Sequence, residues 1–239
     1  MIEKAGISIF FPIYNDWGTV ASMVVMAINT VEKITSNYEI VLVDDGSEER
    51  TVEILDFLEK KFEQVRVVHH KFNRGYGDAL KTGFSECKND LIFYTDGDAQ
   101  YDVRELLKLI PYMTEDIDIV NGYKIKRADP YHRVVIGKIY HHIAKWMFGL
   151  PIRDVDCDFR LMRRSIFDKV KLESDSGVIC VEMVKKIHDG GFRFAEVPVH
   201  HYFRASGKSQ FFNFKRILKV GINLLTLWWK LVILKKSRR

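Results

Sequence analysis

The chain has 239 residues, 47% hydrophobic and 13% aromatic, with 15 Gly and 5 Pro, an ordinary globular composition with enough length for one large core and a short appendage. Its three cysteines, Cys87, Cys157 and Cys180, form no C-x-x-C pair and leave an odd count, so neither a disulfide framework nor a zinc site is indicated. The net charge of +5 is concentrated in Lys124 to Arg127, Arg160 to Arg164 and Lys215 to Arg239, and implies an anionic partner.

The amino terminus, MIEKAGISIFFPIY, lacks the basic start and small-residue cleavage site of a secretory signal, so a cytoplasmic protein is expected. Ile7 to Ile13 reads as a buried strand, and Gly18 to Ile34 carries a helical apolar stripe. Glu39 to Val43 forms a second strand that ends in Asp44-Asp45-Gly46-Ser47. There follow a helix from about Thr51 to Phe62, a strand at Val65 to His69, a helix opened by Asn73-Arg74-Gly75-Tyr76-Gly77, and a strand at Leu91 to Thr95. A helix near Val103 to Met113 and a strand at Ile117 to Val120 complete the pattern. Strands alternating with helices imply an α/β fold with a mostly parallel sheet covered on both faces. Gly75-x-Gly77 follows the wrong strand for a dinucleotide fingerprint and lacks its third glycine, so a Rossmann dehydrogenase is rejected.

The end of the Leu91 strand carries the chemistry. Asp96 and Asp98 stand at i, i+2 around Gly97, which permits a sharp turn that aims both carboxylates into one crevice. Hard oxygen ligands at that spot suit Mg²⁺ or Mn²⁺, which complete their shell with water and substrate phosphates. The competing reading is plain turn chemistry. In open sheets of this kind ligands bind at the carboxyl ends of the strands, where Asp44, Asp45, Asp96 and Asp98 all fall.

Four ordered motifs, PIYND, VDDGS, NRGYGDALKTGF and TDGDAQ, make Ile7 to Val120 resemble the nucleotide-sugar-binding half of glycosyltransferase family 2. The resemblance implies a GT-A fold and an inverting transferase. Beyond Val120 the likeness narrows to polyprenyl-phosphate glycosyltransferases of the dolichyl-phosphate mannose synthase type, through GYKIKR, Arg133, Asp154 to Arg164, Glu182, and Glu196 to Val199 followed by Arg204 to Ser209. Three positions depart from that pattern: Asp16 replaces Glu, Cys157-Asp158 replace Ser-Gly, and Gln210 replaces Lys.

What the resemblance implies is specific. Pro12, Tyr14, Asp16, Asp44 and Asp45 would form the base and ribose pocket, Asp96 and Asp98 would hold Mg²⁺ or Mn²⁺, and Gln100 would be an outer ligand or a sugar contact. Arg127, Arg133, Arg160, Arg204 and Lys208 would place a phosphate acceptor, with Arg133 and Arg204 in the catalytic set; a hydroxyl acceptor would instead need a base, Asp156 or Asp158. The partners implied are a UDP- or GDP-sugar, a polyprenyl phosphate and a membrane surface, and no nucleic acid. Transfer to a glycan hydroxyl and a non-catalytic nucleotide-sugar-binding scaffold are the two alternatives.

Residues 1–210 would form the transferase domain, 1–120 for the donor and 121–210 for the acceptor, and 211–239 a basic amphipathic helix and tail. The apolar run Val220 to Leu234 contains Lys230 and is shorter than the roughly 20 residues that cross a bilayer. On a helical wheel Lys215, Arg216, Lys219, Asn223, Thr226 and Lys230 fill one sector about 100° wide, and the rest is apolar with paired tryptophans. That pattern suits a helix lying in a membrane interface, the alternative being one packed on the domain or on a second copy of it. Val135 to Phe148 reads as a core or lid helix, and the paired histidines as ordinary structural residues.

Overall fold

A computed structural model of the chain describes residues 5–125, 131–205 and 214–234, with the side chains of 131–133 and 214–217 not described. The apolar runs form the strands expected of them, because a continuous Val, Ile and Phe run can be buried on both faces only inside a helix-covered sheet. Strands β1 (Ile7–Ile13), β2 (Tyr38–Asp44), β3 (Val65–His69), β4 (Leu91–Thr95), β5 (Ile119–Lys124), β6 (Phe159–Arg163) and β7 (Phe194–Val199) make one sheet in the order β3-β2-β1-β4-β6-β5-β7. Only β6 runs against its neighbours; β1, β2, β3 and β4 pair in parallel, as do β5 and β7.

The two faces of the sheet follow the period of two along β1. Ile7, Ile9, Phe11 and Ile13 pack with Val20, Met23, Val24 and Ala27 of α1 (Val20–Val31) and with Leu55 and Leu58 of α2 (Glu49–Lys61). Phe10, on the opposite face, packs with Leu80 and Phe84 of α3 (Tyr76–Glu86) and lies in one core with Ile179, Met183 and Ile187 of α7 (Ile179–Asp189). The helix expected at Val103 to Met113 is broken into a 3₁₀ turn, one α turn, α4 (Leu106–Leu109), and a second 3₁₀ turn at Ile110–Tyr112. Pro111 lacks the N–H that an α-helix needs at that point.

A third cluster joins α5 (Tyr131–Phe148), α7 and the carboxyl-terminal helix α8 (Phe214–Trp228). Leu224 and Leu227 of α8 are buried beside Phe148, Val181 and Val184, and the Trp228 indole N–H donates to the Met147 carbonyl at 2.9 Å. One apolar face of α8 is therefore part of the domain core. The other face stays outside: Leu218, Ile222, Leu225 and Trp229 are exposed, as are Ile136, Ile139, Ile143 and Trp146 of α5. Among the described residues no helix is long and apolar enough to cross a membrane. A short α6 (Ile166–Lys169) links β6 towards α7.

Chain order leaves β1 for β2 and β3 on one side and returns to β4 on the other, so the sheet's switch point lies between β1 and β4. That is where an open α/β sheet leaves a crevice.

Candidate active site

A cavity of about 450 Å³ opens at this switch point, bounded by the loops after β1, β2 and β4 on one side and by the 175–177 loop and α8 on the other. Its first wall is set by backbone geometry. The Asp16 carbonyl accepts from the N–H groups of Thr19 and Val20 at 3.1 Å each and so starts α1, while the Thr19 hydroxyl donates to the Gly97 carbonyl at 2.7 Å. The β1 and β4 loops are thus one rigid unit. Among the described residues, the two non-glycines with positive φ are Asn15 (61°) and Ala99 (59°), one in each of these loops. Such conformations cost energy, Ala99 on the order of 1 kcal/mol, and persist where surrounding bonds over-determine them; here Asn15 bonds the backbone and side chain of the β2 loop through Glu48 N–H and Ser47 Oγ.

Asp96 and Asp98 emerge together at this unit. Asp96 Oδ1 accepts from the Tyr76 hydroxyl at 2.8 Å, and Asp98 Oδ1 from the Gln100 N–H at 2.9 Å. Arg204 reaches in from beyond β7, with Nη2 2.5 Å from Asp98 Oδ2 and Nη1 3.3 Å from Asp16 Oδ1. Its segment is anchored by His200, bonded twice to Glu105, and by the Tyr202 N–H on the Gln100 carbonyl at 2.8 Å. Burial and the neighbouring Asp98 push the Asp16 carboxyl up to about 6, against the opposing pull of Arg204 and the Tyr14 N–H. Burial, with Asp158 and Asp98 nearby, holds Asp96 well above the carboxylate range, although Tyr76 and Arg204 act to lower it. These carboxylates cannot all ionise comfortably with only Arg204 among them.

A hard divalent cation fits that arrangement. The donors are carboxylate oxygens, they repel one another, and the Arg204 guanidinium already lies against one of them. Among the described residues no three His, Cys, Asp or Glu side chains converge on one point, so Asp96 and Asp98 would supply two ligands and leave the remaining positions to water or phosphate. Arg204 Nε is buried without a hydrogen-bond partner among the described residues, a donor in reserve for an anion.

The other expected residues divide. Pro12, Tyr14, Asp16 and Asp45 line the cavity. Asp45 also builds it: its carboxylate accepts the N–H groups of Arg74 and Gly75 at 2.9 Å each and pairs with His70 at 2.7 Å. Gly75 has φ of 98°, and a Cβ there would meet the Asp175 carbonyl oxygen at 2.7 Å, so the turn and the close approach both require glycine. Asp44 does not reach the cavity; its carboxylate is taken by the Ser47 N–H at 3.0 Å and by His69 at 2.7 Å. Gln100 is likewise turned away, its amide donating to the Tyr202 carbonyl at 3.2 Å.

Arg160 is the clearest correction. It is fully buried in β6 and spends its donors on Asn121, the Tyr94 hydroxyl, Asp158 and the Val155 carbonyl, so it cannot place an acceptor. Asp158 is bound by the same cluster, accepting from Tyr94 at 3.1 Å and Cys180 at 3.2 Å. Asp156 does not line the cavity either; its carbonyl accepts from the Lys124 ammonium at 2.7 Å. Arg127 and Lys208 lie outside the described residues, as does the side chain of Arg133.

Residues 8–171 match the family described as glycosyl transferase family 2. The chain belongs to this family. Among curated relatives it is 26% identical over 242 residues to the glycosyltransferase AglD of Haloferax volcanii, a match that takes in 98% of this chain but 38% of that protein's length. Among solved structures the family 2 chain is similar to Mycobacterium tuberculosis glucosyl-3-phosphoglycerate synthase in complex with Mn²⁺, UDP and glucosyl-3-phosphoglycerate, with a TM-score of 0.70 at 16% identity over 95% of this chain and 80% of that one. The same synthase with Mn²⁺, UDP-glucose and phosphoglyceric acid also gives 0.70, at 17% identity over 94% and 80%. At such identities the likeness is one of fold, and that fold is GT-A.

Three contributors escaped the sequence reading: Tyr76 on Asp96, the Asp175-Ser176-Gly177 loop, and Lys219 and Asn223 of α8. Tyr76 sits inside the NRGYG motif, where an aromatic residue opening a helix among glycines was the available signal. The loop and α8 carry no local signal, since only the tertiary packing of α7 and α8 brings them to the strand ends.

Proposed function

We propose that the chain is an inverting, metal-dependent glycosyltransferase that moves a sugar from a nucleotide sugar to a polyprenyl phosphate at a membrane surface. The observation that carries this reading is the cluster of Asp16, Asp96, Asp98 and Arg204 at the sheet's switch point, with Asp16 and Asp96 raised by burial and then by neighbouring carboxylates, beside a guanidinium with a donor in reserve. Family membership and a fold shared with a synthase crystallised with Mn²⁺ and UDP support it.

The cavity residues divide the work as follows. Pro12 and Tyr14 offer an apolar surface to a base, and Asp16 and Asp45 offer acceptors to ribose hydroxyls or base N–H groups. Asp96 and Asp98 would hold Mg²⁺ or Mn²⁺, which when bound supplies Lewis-acid neutralisation of a leaving diphosphate. Arg204 adds a fixed positive charge on the same side, in place before the anomeric carbon–oxygen bond breaks. The acceptor's phosphate oxygen attacks the anomeric carbon from the far face, and the nucleoside diphosphate leaves with the bonding pair. A phosphate monoester, with its second pKa near 6, is largely ionised at neutral pH, so no base is needed. That matches a site in which Asp158 is committed to Arg160, Tyr94 and Cys180.

The exposed apolar stripes of α5 and α8 support peripheral attachment to a lipid surface. The test is transfer of radiolabel from a panel of UDP- and GDP-sugars into the organic-extractable phase, with polyprenyl phosphate supplied and Mn²⁺ or Mg²⁺ present or chelated. Metal-dependent lipid label is the expected result. Nucleotide release without lipid label would overturn the acceptor assignment.

A further inference from the structure

The wall of the cavity opposite Asp96 and Asp98 includes the carboxyl-terminal helix. Lys219, Val220 and Asn223 of α8 line it, and the Asn223 amide donates to the Ser176 hydroxyl at 3.0 Å, latching the helix to the loop that enters α7. That loop is itself fixed: the Glu182 carboxylate accepts the N–H groups of Glu173 at 2.9 Å and Ser174 at 2.8 Å, and the Asp175 carbonyl accepts from Gly77 at 3.0 Å. Lys219 is therefore carried on a braced helix.

Among the described residues its charge is not taken up by an ion pair. Of the other cations lining the cavity, Arg74 pairs with Asp78 and Arg204 with Asp98 and Asp16, whereas among the described residues no carboxylate lies within ion-pair distance of Lys219. With a divalent cation on Asp96 and Asp98, an ammonium on the opposite wall of the cavity would leave room for an anion between the two positive charges. Around α8, at about 100° per residue, Lys219 lies roughly a quarter turn from the exposed stripe Leu218, Ile222, Leu225 and Trp229. A ligand with a phosphate head and an apolar tail could put its head against Lys219 and run its tail along that stripe.

We propose that Lys219 is the contact for the acceptor's phosphate monoester, held in place by the Asn223–Ser176 latch, so that α8 is a wall of the active site as well as a surface element. This rests on the acceptor reading above. It assigns Lys219 to the acceptor and leaves the donor diphosphate to Arg204 and the strand-end carboxylates.

The experiment titrates the full chain, loaded with Mn²⁺ and UDP, with octyl phosphate and with inorganic phosphate, and measures KM for a polyprenyl phosphate in detergent. Lys219→Glu is expected to weaken octyl phosphate binding and raise that KM at least tenfold while leaving UDP–Mn²⁺ affinity within twofold; Lys219→Arg is expected to stay within threefold of wild type on all three. Preference for octyl phosphate over inorganic phosphate points to a lipid source, equal affinity to a free phosphate, and both support the subsite. Unchanged binding in Lys219→Glu, an equal loss of UDP–Mn²⁺ affinity, or wild-type protein that binds neither phosphate would overturn it. Wild-type protein that binds octyl phosphate through Lys219 but transfers no sugar would leave the subsite standing and sink the proposed transfer.

Discussion

The two walls of the cavity are built by opposite means. The strand-end wall is held by the backbone: Asp45 is pinned by two N–H groups, and Asp16 and Asp98 each accept one, while the loops that carry Asp16 and Asp98 are tied through Thr19. The helical wall is held by side chains, the Asn223–Ser176 bond and the burial of Leu224 and Leu227. A wall fixed by the backbone can hold carboxylates together against their repulsion. One fixed by side-chain packing can present a lone cation and an apolar outer stripe, and it can move more cheaply.

The largest expected effect separates two arginines that look alike in sequence. Arg160→Ala removes a guanidinium from a closed network and should cost about 3–5 kcal/mol, read as a lower midpoint in urea, because Asp158, Asn121 and Tyr94 are left without their partner. Arg204→Ala should instead leave the urea midpoint nearly unchanged and lower kcat roughly 100-fold or more, the loss typical of one preorganised donor. Equal destabilisation by the two would erase the distinction.

Next in size is the pair Leu227 and Leu225 on α8. Leu227→Ala opens a cavity among Val178, Val181 and Val184 and should cost about 2–5 kcal/mol. Leu225→Ala, on the exposed stripe, should stay within about 0.5 kcal/mol in solution while weakening sedimentation with anionic vesicles. The same packing means that removing α8 should destabilise the domain as well as release it from vesicles.

Much of this was legible in the chain. The four strand-end motifs fall where the alternating pattern put them, because buried parallel strands announce themselves as apolar runs and acids at their ends have few other reasons to be there. β6 was not legible: FRLMR mixes apolar residues with arginines and reads as a basic patch, yet Arg160 points inward to a buried Asn and Tyr that lie far off in sequence and to Asp158, two residues before it. Asp44 and Gln100 misled for a related reason, since their motif positions are right and only the third dimension assigns their oxygens and amide elsewhere. The wide apolar surface of α8 was visible, but its division into a buried and an exposed face depends on α5 and α7.

A smaller effect than the loss of Arg160 or Leu227 is pH-dependent. Burial alone would raise the Glu182 carboxyl, but the bonds from Lys186 and from the Ser174 and Glu173 N–H groups outweigh it and hold it below its ordinary value. A carboxyl with a depressed folded-state pKa contributes stability that is present above its unfolded value near 4.5 and lost as pH falls through the folded value. Glu182→Gln should therefore lower stability by about 1–2 kcal/mol at neutral pH and give a flatter stability curve than wild type below pH 4.5. A parallel pair of curves would mean the carboxylate charge contributes nothing to bracing the helical wall.

The most direct test of the strand-end wall is a Mn²⁺ titration followed by electron paramagnetic resonance, with UDP present, on wild type and on Asp96→Asn with Asp98→Asn. The free-ion signal should disappear into wild type and remain with the double variant, circular dichroism being unchanged. Equal loss of that signal in both proteins would contradict the assignment of Asp96 and Asp98 as the place where cation and nucleoside diphosphate meet.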